Sequence, residues 1–153
     1  MQETGSSEAG PTTRNSEIAR QDIIEVSAGL VFRDGKLLIT QRPLDTHLGG
    51  LWEFPGGKRH PDETFQDCLR RELREELGIE VEIGELLDSI IHRYPEKIVH
   101  LKFFCCRWVR PEPETRRCLA FAWVQRKHLN DYAFPAADAR LLERLQKNLE
   151  FWS

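Results

Sequence analysis

The sequence predicts an α/β domain of the α+β kind, with helices covering a curved, mixed sheet. Three observations carry this expectation. Two β-rich runs flank Asp34-Gly35, one amphipathic helix lies near the middle of the chain, and a second helix with leucines at helical spacing lies near its end. With 153 residues, 40% of them apolar and 31% charged, the chain has the size and composition of one globular domain.

Taken in order, residues 1 to 20 are rich in Ser, Thr, Gly, Glu and Pro and hold almost nothing that could be buried. A flexible tail is expected there, leaving 21–153 as a single domain. "IIEVSAGLVFRDGKLLITQR" reads as a hairpin, because Asp-Gly readily takes the positive φ angles of a tight turn. The Gly and Pro content of "PLDTHLGGLWEFPGG" bars a long helix or strand and suits a loop wrapped around a ligand. A helix is expected from Asp62 to Leu77, stopped by Gly78. "IEVEIGELLDSIIHRY", "IVHLKFFCCRWV" and "CLAFAWV" read as strands. The last helix is expected from Pro135 or Ala136 to Leu149, with Leu141, Leu142, Leu145 and Leu149 on one stripe.

A net charge of −3 and a pI near 6.0 argue against holding long nucleic acid through a broad basic field, but leave small phosphorylated ligands open. The four cysteines, Cys68, Cys105, Cys106 and Cys118, lack CxxC spacing and are expected to be plain thiols. No apolar run approaches the roughly 18 to 20 residues that span a membrane, and the N-terminal residues lack the apolar core of a secretory signal. A cytoplasmic protein, monomer or homodimer, without a membrane partner is expected.

The middle helix carries the chemistry. Phe65, Leu69, Leu73 and Leu77 form its apolar stripe. On a helical wheel Glu76 lies about 40° from the centre of that stripe and Glu72 about 80°, so carboxylates turn toward the protein body. Glu72, Glu75 and Glu76 are neighbours at i, i+3 and i+4, and their mutual repulsion raises a pKa or recruits a cation. A surface helix laced with salt bridges is the plainer reading of "RRELREEL" taken alone. Oxygen ligands of this kind favour a hard ion, Mg²⁺ or Mn²⁺.

Gly57, Glu63, Arg71, Glu72, Leu73, Glu75, Glu76, Gly78 and Ile79 reproduce the signature GX5EX7REUXEEXGU, with U an aliphatic residue. In this the chain resembles the Nudix hydrolase family, and through "ITQRP", "LWEFPGGK" and "YAFPAADARLLERL" it is most similar to the MutT type. The resemblance implies an α/β/α sandwich and Mg²⁺-dependent hydrolysis of nucleoside triphosphates to monophosphate and pyrophosphate. Oxidised nucleotides such as 8-oxo-dGTP lead; CTP or modified pyrimidine nucleotides, and a non-catalytic module recognising a damaged base, are the alternatives.

Carried over residue by residue, the resemblance implies metal binding by Glu72, Glu75, Glu76, Glu63 and the Gly56 carbonyl. It implies orientation of the glutamates by Arg71 and proton abstraction by Glu72. Gly57 would admit a close backbone approach. Arg42 and Lys58 resemble phosphate contacts, and Asp138 the residue facing the base; a structural carboxylate at the start of the last helix is the other reading of Asp138. Phe103 and His47 are candidates for stacking or edge contacts, with the protein core as the competing place for Phe103. Relatives often carry an acid a few residues before the Trp of "FAWV"; this chain has Arg116, Arg117, Cys118 and Leu119 there.

Overall fold

Alternating apolar residues allow one strand to serve two cores. The computed structural model describes residues 23–153, so the expected tail over 1 to 20 lies outside the described residues. In strand β1 (Ile23–Arg33), Leu30 enters one core and Val31 the opposite one. In β2 (Lys36–Gln41), Leu37 and Ile39 join the first core and Leu38 the second.

Strands β3 (Trp52–Glu53), β4 (Gly56–Lys58), β5 (Glu80–Arg93), β6 (Ile98–Arg110) and β7 (Ala120–Gln125) complete one sheet. Its path runs β3-β2-β1-β6-β5, with β4 paired to β1 and β7 to β2. The β1–β6 pairing is parallel, from Ile23↔Ile98 through Phe32↔Arg107. The other pairings are antiparallel, so the sheet is mixed as expected.

Helix α1 (Phe65–Leu77) packs Leu69, Leu73 and Leu77 onto Val31, Leu38, Phe104 and Cys106. Helix α2 (Ala139–Lys147) packs Leu141 and Leu145, with Trp152, onto Leu30, Leu37, Ile39 and Phe103 on the other face. Helix, sheet and helix thus form three layers. All four cysteines are free thiols. Burial pushes Cys106 up to about 12 and Cys118 up to about 11, and it also raises Cys68 and Cys105.

Three boundaries differ from the sequence expectation. Helix α1 starts at Phe65, not Asp62, because extended Thr64 caps it and accepts a 3.0 Å hydrogen bond from the Asp67 N–H. Glu63 therefore stays outside the helix, where it can fold back along it. The expected loop contains two short strands, since Trp52 and Phe54 alternate around Glu53 and Pro55 limits the run. The C-terminal helix is divided: a 3₁₀ turn at Ala136–Asp138 precedes α2, and another at Leu149–Trp152 follows it.

Gly78 ends α1 with φ +71°, and a Cβ there would lie 2.7 Å from the Arg116 guanidinium carbon. Gly78→Ala is expected to reduce unfolding free energy by about 1–2 kcal/mol. Urea denaturation checks this, and an unchanged midpoint would mean that the helix end tolerates a side chain.

Candidate active site

A single guanidinium collects the acidic residues of α1. Arg71 Nε donates to Glu63 Oε2 at 3.1 Å and Nη2 to Glu63 Oε1 at 2.7 Å, a two-pronged pair. Nη1 reaches Glu72 Oε2 at 3.0 Å and both Glu75 oxygens at 3.4 Å, while Nη2 also donates to the Lys58 carbonyl at 2.9 Å. Glu63 accepts a further 2.9 Å hydrogen bond from the His60 N–H. The Arg71 hydrogen bonds, then the His60 N–H, hold the Glu63 carboxyl down at about 2. The same hydrogen bonds raise the Arg71 pKa further.

Glu76 behaves differently, as its place beside the apolar stripe foretells. Its Oε1 is sealed from solvent and has no hydrogen-bond partner. Burial, then the negative charges of Glu53 and Glu72, push its pKa up to about 8 against the opposing pull of the Gly56 amide and Arg42. Gly57 supplies the floor: a Cβ there would overlap the Glu72 carboxylate. A side chain here would push the Glu72 carboxylate from its place beside Arg71, and glycine leaves that place open.

Glu53 is a site residue that sequence reading missed. It accepts a 3.1 Å hydrogen bond from Arg42 Nη1, yet burial outweighs this pairing and raises its pKa. The sequence does hold a signal, an acid between Trp52 and Phe54 just before the paired glycines of the box. Arg42 Nε donates to the His47 carbonyl at 2.8 Å, so Arg42 ties the exposed His47 loop to Glu53. Lys58 is exposed on β4 at the edge of this group.

The stretch containing Asp138 is fixed against β3. The Trp52 N–H donates to the Ala133 carbonyl at 2.8 Å, and Phe134 packs on Phe54 with ring centroids 5.1 Å apart. Asp138 is only 8% exposed and makes no capping hydrogen bond at the start of α2. Burial, then the charge of Glu53, raise its pKa to about 6, with His92 opposing. Glu53 thus lies within electrostatic reach of both Glu76 and Asp138. Phe103 is corrected: at 1% exposure, set edge-on to Phe54, it belongs to the core and its ring face is not open to a ligand.

From the segment before β7, Arg117 Nη1 donates to Glu75 Oε1 at 3.0 Å. Among the described residues, no three His, Cys, Asp or Glu side chains already stand as a metal-binding cluster. Guanidiniums occupy Glu63, Glu72 and Glu75 instead. The donor set nevertheless suits a hard cation: the orphaned Glu76 Oε1 and the mutually repelling carboxylates of Glu53, Glu72 and Glu76 call for positive charge.

The raised Glu76 pKa has a consequence for stability. Protonation favours the folded state here, so this group's stabilising contribution is present below pH of about 4.5 and is lost as pH rises through about 8. Metal-free Glu76→Gln is expected to melt above the parent at pH 8 and close to it at pH 5. Parallel melting curves in chelator across that range would place the Glu76 carboxylate in contact with water.

The NUDIX domain family matches residues 27–144. The CTP pyrophosphohydrolase of Escherichia coli is 40% identical over 121 residues, covering 79% of this chain and 90% of that protein. An 8-oxo-dGTP diphosphatase of Haemophilus influenzae is 36% identical over 124 residues, covering 80% and 91%. The solution structure of the E. coli ORF135 protein superposes with a TM-score of 0.70 at 37% identity, covering 82% of this chain and 90% of that one. The crystal structure of a MutT protein from Methanosarcina mazei superposes with a TM-score of 0.72 at 26% identity, covering 82% and 94%. With the family match running from β1 into α2 and the glutamates gathered on Arg71, the chain belongs to the Nudix hydrolase family and is of its MutT-like kind.

Proposed function

We propose that this hydrolase cleaves nucleoside triphosphates to monophosphate and pyrophosphate with Mg²⁺ or Mn²⁺, and that oxidised nucleotides such as 8-oxo-dGTP are its leading substrates. The observation that carries this reading is the partnerless buried oxygen of Glu76 between the charges of Glu53 and Glu72. Nudix hydrolases generally need divalent metal ions. Bound to Glu72, Glu75 and Glu76, such ions supply positive charge against the triphosphate and lower the pKa of water.

The chain's own residues do the rest. Glu63 holds Arg71, and Arg71 orients Glu72 and Glu75. Glu72 receives the proton of the attacking water; Glu53, half-buried with a raised pKa, is the second carboxylate suited to that task. The Gly56 carbonyl completes the metal-facing set. Arg42 and Lys58 meet phosphate oxygens, and His47, on the loop that Arg42 fastens, borders the nucleotide.

Asp138 faces the base in this reading. Neutral, it both donates and accepts a hydrogen bond; ionised, it only accepts. CTP or its modified forms are the second reading, favoured by the 40% identity to a CTP pyrophosphohydrolase over 90% of that protein's length. The cytosine amino group can donate to an ionised carboxylate, and guanine N1–H and N2–H can do the same.

A Mg²⁺-dependent assay over ordinary and oxidised nucleoside triphosphates, detecting pyrophosphate and orthophosphate separately, tests the reaction. Pyrophosphate release selective for 8-oxo-dGTP is expected. Selection of CTP would move the substrate to the pyrimidine branch, and orthophosphate release would overturn the site of cleavage. Glu75→Gln should reduce turnover at least about 100-fold with folding retained; near-parental turnover would remove Glu75 from the metal set. With the Asp138 pKa near 6, the ratio of turnover on guanine to cytosine substrates should change between pH 5 and 8 in the parent. It should stay flat in Asp138→Asn. A ratio equally flat in both would return Asp138 to a structural role.

A further inference from the structure

Glu75 is held between two guanidiniums. Arg71, from one turn earlier in α1, stands 3.4 Å from both of its oxygens, and Arg117, from the segment before β7, stands 3.0 Å from Oε1. The second arginine is delivered there by the backbone. The N–H groups of Arg116 and Arg117 donate to the Glu76 carbonyl at 3.1 and 3.2 Å, and the Glu114 N–H donates to the Leu77 carbonyl at 2.9 Å. The Arg116 side chain adds a 3.3 Å hydrogen bond to the Arg74 carbonyl. These bonds satisfy carbonyls that the end of α1 leaves open and fasten residues 114–117 to the helix that carries the glutamates.

The backbone N–H of Arg117 is anchored one residue along from that glutamate, which sets its exposed side chain beside Glu75. A divalent ion approaching Glu75 either parts this pair or stands close to its guanidinium, and both cost electrostatic energy. We propose that Arg117 is a built-in cation for Glu75 that competes with a divalent ion for that carboxylate, so that the charge at position 117 sets the metal affinity of the site. Arg117 is therefore a positioning residue, acting through Glu75. The inference rests on the divalent-metal reading of the box glutamates.

The test uses Mn²⁺ alone, without nucleotide, titrated into the full chain and followed by the electron paramagnetic resonance of free Mn²⁺. The Arg117 side chain is 64% exposed and Glu75 33%, so the pair is a partly screened one. Arg117→Gln is expected to bind Mn²⁺ about two- to fivefold tighter than the parent. Arg117→Glu should bind tighter still, and Arg117→Lys close to the parent. Thermal melts in chelator confirm that each variant is folded. Parental Mn²⁺ binding with affinity unchanged or weakened in both Arg117→Gln and Arg117→Glu overturns the proposal and leaves the metal site standing. Unchanged Mn²⁺ affinity with weakened nucleotide binding makes Arg117 a substrate contact, which also overturns it. Absence of Mn²⁺ binding in parent and variants alike overturns the metal reading together with the proposal.

Discussion

Arg71 is the interaction on which the site depends. Its guanidinium touches Glu63 from the loop before α1, Glu72 and Glu75 on the helix, and the Lys58 carbonyl at the end of β4. Three chain segments are thereby placed relative to one another by one planar group with five donors, a geometry that an ammonium could not reproduce. Without that positive charge the carboxylates would repel one another on a half-buried surface. The Thr64 cap belongs to the same arrangement, because by ending the helix there it leaves Glu63 free to reach back eight residues to Arg71.

The local features were legible in the sequence wherever spacing along one element decides them. The Asp34-Gly35 turn forms with φ values of 50° and 76°. The helical wheel located Glu76 beside the apolar stripe, and its sealed oxygen follows from that position. The i,i+4 spacing of Arg71 and Glu75 likewise gave their contact. Glu53 was not legible as a site residue, since its coupling to Glu76 and Asp138 joins three positions far apart in the chain that only the fold brings near one another. Phe103 shows another limit. Phe103 and Phe104 alternate faces as a strand requires, but both faces of this sheet are covered, so alternation could not say that either ring was exposed.

Stability and chemistry oppose each other at Glu76. The fold surrounds this carboxylate with other negative groups and leaves one oxygen without a partner, an arrangement that favours its neutral form. The two leucine-lined cores and the ten-residue parallel pairing of β1 with β6 hold that position against the unfavourable charge. A polar defect of this kind persists where the surrounding packing over-determines it.

The thiols carry a further consequence. A cysteine reacts with peroxide as its thiolate, and each of the four thiols here is held above its ordinary pKa by burial. At neutral pH the reactive form is scarcer than in free cysteine, so the first step toward sulfenic acid is slowed at all four positions. A protein whose proposed substrates are the products of oxidative damage thus keeps its own most oxidisable side chains in their least reactive state.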